Sequence, residues 1–308
     1  MKTRYRLIAS VAITSLLTSC FTGIESTPKI TDKEVLRQQP QQRQEEKYFD
    51  GMSATNLSDK LYAGKQWIIT DSKIRLIFDG SAGNLDFLPG DTLSFVATKN
   101  ATTIDGRSVT DIVFTDKKNN HITYRTSIDP TRFAEGTPME IPFTVDLDLI
   151  NSLSGKMFGK QLYLLTRSRY DMSDNAYNGR RFVRVTIDSV SPGNNIYPIR
   201  LSLSEPGQKP FRLYMSSPFQ SSMPRKFSTL FSIDDPRTAY PAISSEVWDM
   251  IIDGKVKVGM TRDECRLSLG DADNVDRQPG YSSVREIWTY KDGRYLIFID
   301  GILESYRN

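Results

Sequence analysis

The stretch LPGDTLSFV at residues 88–96 has a counterpart, YNGRRFVRV, at residues 177–185. Each segment places a glycine before a run of alternating apolar and polar side chains, which is the pattern of a half-buried β-strand that follows a turn. The two aligned glycines, Gly90 and Gly179, lie 89 residues apart. The pair therefore predicts two similar β-rich units in tandem.

Other segments repeat with related spacing. They are Asp111–Phe114 with Arg200–Leu203, Ile122–Arg125 with Phe211–Tyr214 and, at an offset of 95 residues, Gly64-Lys65-Gln66 with Gly159-Lys160-Gln161. Two units of about 70 to 80 residues with four or five short strands are typical of small SH3-like β-barrels. We place the first barrel at residues 59–135 and the second at 136–220, with a short helix near 145–154. A single continuous β-sandwich with chance similarity is the alternative.

The first 20 residues, MKTRYRLIASVAITSLLTSC, have the parts of a bacterial export signal. A basic start precedes a short apolar stretch at residues 7–17, which is too short to span a bilayer. The following Leu17-Thr18-Ser19-Cys20 resembles the lipobox of bacterial lipoproteins, in which the cysteine receives diacylglycerol. The resemblance implies that residues 1–19 are a signal peptide and that lipid on Cys20 anchors the mature chain to a membrane. An ordinary signal peptide with a chance cysteine, or a short buried helix, is the alternative.

Residues 20–58 are polar, as in QQPQQRQ at 38–44. A segment with so little apolar surface cannot offset the entropy lost on folding, so it is predicted to be a disordered tether. Neither an aspartate at position 21 nor an acidic run follows Cys20. This favours the periplasmic face of the outer membrane over inner-membrane retention or display at the cell surface.

The composition argues against several classes of function. The net charge of +3 over 308 residues gives no broad field for binding nucleic acid. The single histidine, His121, lies in a polar stretch and is predicted to be a hairpin residue, which is poor material for a catalytic triad or a metal site. No cofactor or metal motif is present. Once Cys20 carries lipid, Cys265 has no disulfide partner and is predicted to be buried on a helix.

After a proline-rich linker at 221–243, the C-terminal segment predicts two helices and three strands. Ser244 or Ser245 can cap the first helix, and Thr261 with Glu264 forms a capping box for the second. The three strands are predicted at Val284–Tyr290, Arg294–Ile299 and Ile302–Tyr306, joined by hairpin turns.

This segment, residues 244–308, resembles the SmpA/OmlA (BamE-like) domain. The resemblance is carried by Val258–Cys265, Leu269–Ala272, Trp288-Thr289-Tyr290 and Leu296–Leu303, with Cys265 in place of the usual valine and Ala272 in place of the usual proline. It implies two helices on a three-stranded antiparallel sheet. The chain is thus predicted to be a mainly β multidomain protein, in which tandem SH3-like barrels precede a small α+β domain. BamE-like domains include a lipoprotein that supports β-barrel assembly and many binding or scaffold modules, and the fold alone does not transfer a role.

Basic side chains are frequent in the predicted barrels, and Arg180, Arg181 and Arg184 are the candidate contact residues for an anionic partner. A solvated strand face is the alternative. We predict a lipid-anchored, non-enzymatic binding or scaffold module for an envelope protein or polymer, with no catalytic residues. One alternative is an inhibitory or ligand-binding module that acts on an envelope enzyme. Another is a hydrolase of envelope polymers, which would need converging carboxylates.

Overall fold

The computed structural model describes residues 42–78, 85–220, 223–280 and 282–307. The predicted signal peptide at 1–19, the predicted lipidation site Cys20 and the rest of the predicted tether up to residue 41 lie outside these ranges. The described chain is mainly β, with three antiparallel sheets of five, seven and four strands. None of its helices is long and apolar enough to cross a bilayer.

The first sheet has the strand order β4-β3-β2-β1-β5. Its strands are β1 Gln66–Ile69, β2 Thr92–Thr102, β3 Ser108–Thr115, β4 His121–Arg125 and β5 Thr144–Asp146. Alternate side chains of these strands point into one core, as the period of a strand requires. There Trp67 packs edge-on against Phe114, with ring centroids 5.5 Å apart, beside the buried Ile122.

The second sheet has the order β12-β6-β9-β10-β11-β7-β8. Its strands are β6 Gln161–Leu164, β7 Ser168–Tyr170, β8 Ala176–Asn178, β9 Arg184–Pro192, β10 Ile199–Ser204, β11 Phe211–Met215 and β12 Phe231–Ser232. A helix at Leu147–Met157 covers its core with Leu149, Ile150, Leu153 and Met157, which share one face. The predicted helix near 145–154 is therefore confirmed, with its start at Leu147.

The two sheets share an arrangement of five strands, because β4-β3-β2-β1-β5 and β11-β10-β9-β6-β12 follow the same order. Details match as well. The amide of Gly64 donates to the carbonyl of Phe95 at 2.9 Å, and that of Gly159 donates to Ile187 at 2.8 Å. The equivalent strands β2 and β9 each contain a one-residue β-bulge, at Val96 and at Asp188. The internal repeat is thus present in backbone pairing as well as in sequence.

The alignment of one strand pair in that repeat was wrong by three residues. Phe95 and Ile187 accept the equivalent hydrogen bonds in the two units. They are therefore equivalent positions at an offset of 92 residues, whereas the sequence match implied 89. The reason is that Asn178-Gly179-Arg180 ends β8 and forms the turn before β9, and β9 begins only at Arg184. The turns that contain Gly90 and Gly179 are therefore not structurally equivalent in the two units.

The C-terminal unit contains two helices and four strands. These are helices at Ser245–Asp253 and Arg262–Leu269, and β13 Asn274–Pro279, β14 Val284–Thr289, β15 Tyr295–Ile299 and β16 Ile302–Arg307, which pair in that order. The capping box of Thr261 and Glu264 is present, and Gly254 ends the first helix in a left-handed conformation. The predicted three-stranded sheet is wrong by one strand. Every residue of β13 is exposed, so this edge strand has no alternation that could reveal it.

The predicted tether is wrong for residues 42–58. Residues 42–48 are helical, and Phe49, only 7% exposed, joins the core of the second sheet. Tyr48 stacks on Phe227 with ring centroids 4.6 Å apart. Farther along, the amide of Met139 donates to the carbonyl of Asn56 at 2.8 Å, which ties this segment to the first unit. Two adjacent aromatic side chains are enough to anchor an otherwise polar stretch.

The predicted linker at 221–243 is also wrong for its described residues. It contains the short helix Phe227–Leu230 and strand β12, whose apolar side chains are buried in the second core. The prolines on either side of this short apolar run led to its prediction as part of a linker. The predicted boundary at residue 136 fails too, because β5 pairs with β1 of the first sheet.

Candidate functional site

Charged side chains are buried or partly buried at two places where structural units meet. We call Lys65, Tyr62, Asp146 and Asp148 the lysine cluster, which joins the first sheet to the helix at Leu147–Met157. We call the cavity lined by Arg167, Arg181 and Arg294 the arginine pocket, which lies between the second sheet and the C-terminal unit. Burial of charge is costly unless it is compensated, so both places need a physical explanation.

The lysine cluster surrounds an ammonium group that is almost fully removed from solvent. Lys65 is 1% exposed, and its Nζ lies 2.9 Å from Asp146 and 2.8 Å from Asp148. It also donates to the carbonyl of Thr55 at 3.1 Å and lies 5.3 Å from the centre of the Trp67 ring. The ammonium therefore has acceptors on three sides and an aromatic face on another, as a buried cation requires.

Two further features tie this cluster to its surroundings. The side chain of Asp146 caps the helix by accepting from the amide of Asp148 at 2.9 Å. The hydroxyl of Tyr62 donates to Asp148 at 2.9 Å, and this bond is the main cause that raises the pKa of Tyr62. Because each group is held by another part of the chain, the cluster is suited to joining the two units rather than to chemistry.

A second buried ion pair lies within the second sheet, and the neighbouring Arg180 extends it to the C-terminal unit. Arg169 lies 2.8 Å from Glu205, and both side chains are almost fully buried. Arg180 approaches the other oxygen of Glu205 at 3.0 Å and reaches Asp253 at 3.5 Å. Gly179 makes room for this arrangement, since a Cβ there would lie 2.5 Å from Nε of Arg169.

The arginine pocket is a polar cavity of about 560 Å³. Arg167 precedes β7, Arg181 precedes β9, and Arg294 lies on the hairpin between β14 and β15. The C-terminal ends of both C-terminal helices complete the wall, at Gly254 and at Ser268. Three segments that are far apart in sequence thus place guanidinium groups around one space.

Arg167 is held against the end of the first C-terminal helix. It donates to the carbonyls of Ile252 at 3.2 Å and Asp253 at 2.6 Å. Its guanidinium packs so closely that a Cβ at Gly254 would lie 2.1 Å from Cζ. Burial is the main cause that lowers the pKa of Arg167, and nearby Arg294 lowers it further.

Arg181 is the arginine of the pocket whose charged form is disfavoured most strongly. It donates to the carbonyl of Arg266 at 3.2 Å and stacks on the ring of Phe182 at 4.7 Å. Its buried Nε has no hydrogen-bond partner among the described residues. Burial, and then the charge of Arg167, lower the pKa of Arg181 to about 10. By contrast, Arg294 pairs with Asp292 at 2.7 Å.

The three predicted contact residues have different surroundings. Only Arg181 lines the arginine pocket. Arg180 is engaged by Glu205 and Asp253, and the exposed Arg184 donates to the hydroxyl of Tyr163 at 2.8 Å. Sequence reasoning did not select Arg167 or Arg294 as site residues, although Arg167 belongs to the same basic stretch as Arg169.

A cleft of about 670 Å³ with a mixed polar and apolar lining lies between the first and second units. Its lining includes Trp67, Ile141, Ile196 and Phe219. Its carboxylates are engaged, since Asp146 lies against Lys65 and Glu140 accepts from Gln220. This arrangement suits ligand binding better than acid–base chemistry.

The two sequence candidates for metal or thiol chemistry lie elsewhere. His121 begins β4 and is exposed, as the predicted hairpin residue would be. The prediction that Cys265 is buried is confirmed. Among the residues with described placement, no group of histidine, cysteine and carboxylate side chains could hold a metal ion.

Cys265 should be inert in the folded protein. Burial, and then the charge of Glu264, raise the pKa of its thiol from its ordinary value of 9.0 to about 12. The unfolded thiol ionises above pH 9 while the folded one stays neutral, so stability should fall as the pH rises from 9 towards 12, by about 2 kcal/mol at pH 10.5. Urea unfolding at pH 8 and pH 10.5 measures this. Cys265→Val should lose less stability over that interval than the wild type, and an equal loss would contradict the assignment.

Comparison of the chain with protein-family models, with curated proteins and with solved structures found no match.

Proposed function

We propose that this chain is a lipid-anchored protein of the bacterial cell envelope, with Cys20 as the lipidated residue, and that it serves as a non-enzymatic binding or scaffold module. The arginine pocket is the observation that carries the binding role. Two of its guanidiniums, Arg167 and Arg181, have no ion pair among the described residues, although they are partly buried. Such unbalanced charge favours an acidic group of an envelope protein or polymer as the partner.

We further propose that the first two units are SH3-like small barrels and that the C-terminal unit is BamE-like. The shared strand order of the first two sheets supports a tandem of small β units. The capping box at Thr261 and the two helices beside an antiparallel sheet support the second proposal. In this proposal β13 is an addition to the three strands that the resemblance implies.

A second candidate is a ligand-binding or inhibitory module that acts on an envelope enzyme. The cleft between the first two units favours it, because a concave site that combines apolar walls with polar groups is typical of small-ligand sites. A small apolar ligand that co-purifies with the protein and raises its melting temperature would support this candidate.

The anchor and the partner can be tested together in cells. Cys20→Ala should release the protein from the membrane fraction, because a single lipid-bearing cysteine is the proposed attachment.

In vivo crosslinking of the wild type should capture an envelope component that the arginine-pocket variant Arg181→Gln captures less. Unchanged membrane retention of Cys20→Ala would refute lipidation, and unchanged crosslinking of Arg181→Gln would refute this pocket as the contact site.

A further inference from the structure

The arginine pocket has a surplus of positive charge. Its lining contains three arginines and one carboxylate, Asp292, so its formal charge is +2. The carboxylate is engaged by Arg294 alone, at 2.7 Å. Burial is the largest cause that lowers the pKa of Arg167 and of Arg181; Asp253 and Asp271 oppose this lowering, and a further cause of it is repulsion between neighbouring guanidiniums. A bound anion would relieve this repulsion.

The guanidiniums also keep unused hydrogen-bond donors. An arginine has five N–H donors, and Arg167 uses one terminal nitrogen for each of two helix carbonyls. The Nε of Arg181 is buried without a partner. Thr166, Ser168 and Asn178 add polar groups to the lining. These guanidiniums and polar side chains line one common space.

The arginines have a simpler explanation, which accounts for part of the arrangement. Arg167 and Arg181 donate to carbonyls at helix C-termini, where cations are stabilising. That role explains the bonds to Ile252 and Arg266. It does not explain why Arg294 is placed beside them, nor why Nε of Arg181 is left without an acceptor.

We propose that the arginine pocket binds a phosphate monoester. Such a group carries a charge near −2 at neutral pH and three acceptor oxygens, which match the surplus charge and the unused donors. A carboxylate carries one charge and leaves half of the surplus uncompensated. The cavity of about 560 Å³ leaves room for the group that bears the phosphate. This inference rests on the proposed binding role and names the chemistry of its ligand.

The test is calorimetric titration of the full chain in detergent at constant ionic strength. Inorganic phosphate and glycerol 3-phosphate should bind, and acetate should bind at least tenfold more weakly. Arg294→Gln should weaken phosphate binding about tenfold, as expected for the loss of one charge-assisted hydrogen bond. Asp292→Asn should strengthen it several-fold, because it removes the competing carboxylate.

Two controls keep the result interpretable. Arg184→Gln removes an arginine that lies outside the pocket, so its affinity should equal that of the wild type. Arg294→Gln and Asp292→Asn alter the same hairpin, so opposite changes in affinity cannot come from misfolding. The proposal is overturned if phosphate binds no better than acetate, or if Arg184→Gln weakens binding as much as Arg294→Gln.

The source of the phosphate is decided by a second arm. Phosphatidylcholine vesicles with phosphatidic acid would compete with glycerol 3-phosphate if a lipid headgroup fits the pocket, and they would not compete if only soluble monoesters enter. Either outcome supports phosphate recognition and assigns its source. If the wild type does not bind phosphate but still gives a crosslink that depends on Arg181, this inference alone fails. If the wild type binds phosphate but its crosslink does not depend on Arg181, the proposed contact with an envelope partner fails.

Discussion

Replacing Lys65 with alanine should lower the free energy of unfolding by about 3–5 kcal/mol, because it leaves Asp146 buried without its counter-charge. The Asp146 side chain is only 7% exposed, and its Oδ2 has no hydrogen-bond partner among the described residues, so the ion pair with the ammonium at 2.9 Å is its main compensation. Asp148 is more accessible and keeps its bond with Tyr62. Denaturant unfolding followed by tryptophan fluorescence measures the effect, since Trp67 lies beside Lys65.

The internal repeat supplies a matched control for this substitution. Lys160 occupies the equivalent position in Gly159-Lys160-Gln161, but its side chain is exposed. Lys160→Ala should therefore change stability by no more than about 0.5 kcal/mol. Equal effects of Lys65→Ala and Lys160→Ala would show that the lysine cluster does not stabilise the fold.

Replacing Glu205 with leucine should destabilise the protein by a similar amount, about 3–5 kcal/mol, because Arg169 would remain buried and unpaired. The effect should exceed that of Arg180→Gln, since Arg180 is 43% exposed and Glu205 keeps its pair with Arg169 in that variant. Thermal and urea unfolding of the two variants measure the difference.

A double variant separates the pair from its packing. Arg169→Met combined with Glu205→Leu removes both charges and keeps apolar volume beside Phe211, whose ring lies 4.2 Å from the guanidinium. Most of the stability lost in Glu205→Leu should return, because a buried pair can often be exchanged for apolar side chains at little cost. Failure of the double variant to recover would mean that Glu205 acts through contacts other than Arg169.

The repeat shows how far the sequence could predict the fold. A constant offset located β3 and β4 with their counterparts β10 and β11, and period-two alternation is clear in β10 and β11 because these two strands have one buried face. Strand β13 was missed because both of its faces are exposed. Phe49 and Phe227 were missed because each is a short apolar insertion in a polar or proline-rich segment, and only the tertiary contact between them gives it meaning.

The different fates of Lys65 and Lys160 could not be predicted from their motif, which is Gly-Lys-Gln in both units. Burial depends on the strand beside them. In the first unit β1 pairs with β5, which ends in Asp146 opposite Trp67. In the second unit β6 pairs with β12, and the next residue is Ile233. One carboxylate on a neighbouring strand thus distinguishes a buried cation from a solvated one.

The arginine pocket could be predicted only in part. Charge in the segment 180–184 pointed to Arg181, but the same reasoning selected Arg180 and Arg184, which engage other partners. Arg294 lies more than 100 residues later, on a hairpin of a different sheet. Convergence of such distant segments is a property of tertiary structure, and local sequence pattern carries no information about it.

The stacking of Tyr48 on Phe227 has a consequence for the distance between the folded body and the membrane. If Cys20 carries lipid, only the chain from residue 20 to residue 41 connects the bilayer with the folded protein, because the segment that follows packs on the second sheet. A fully extended chain of that length reaches at most about 70–80 Å. This connection joins the folded body at the second sheet, so its length directly limits how far that sheet can lie from the lipid.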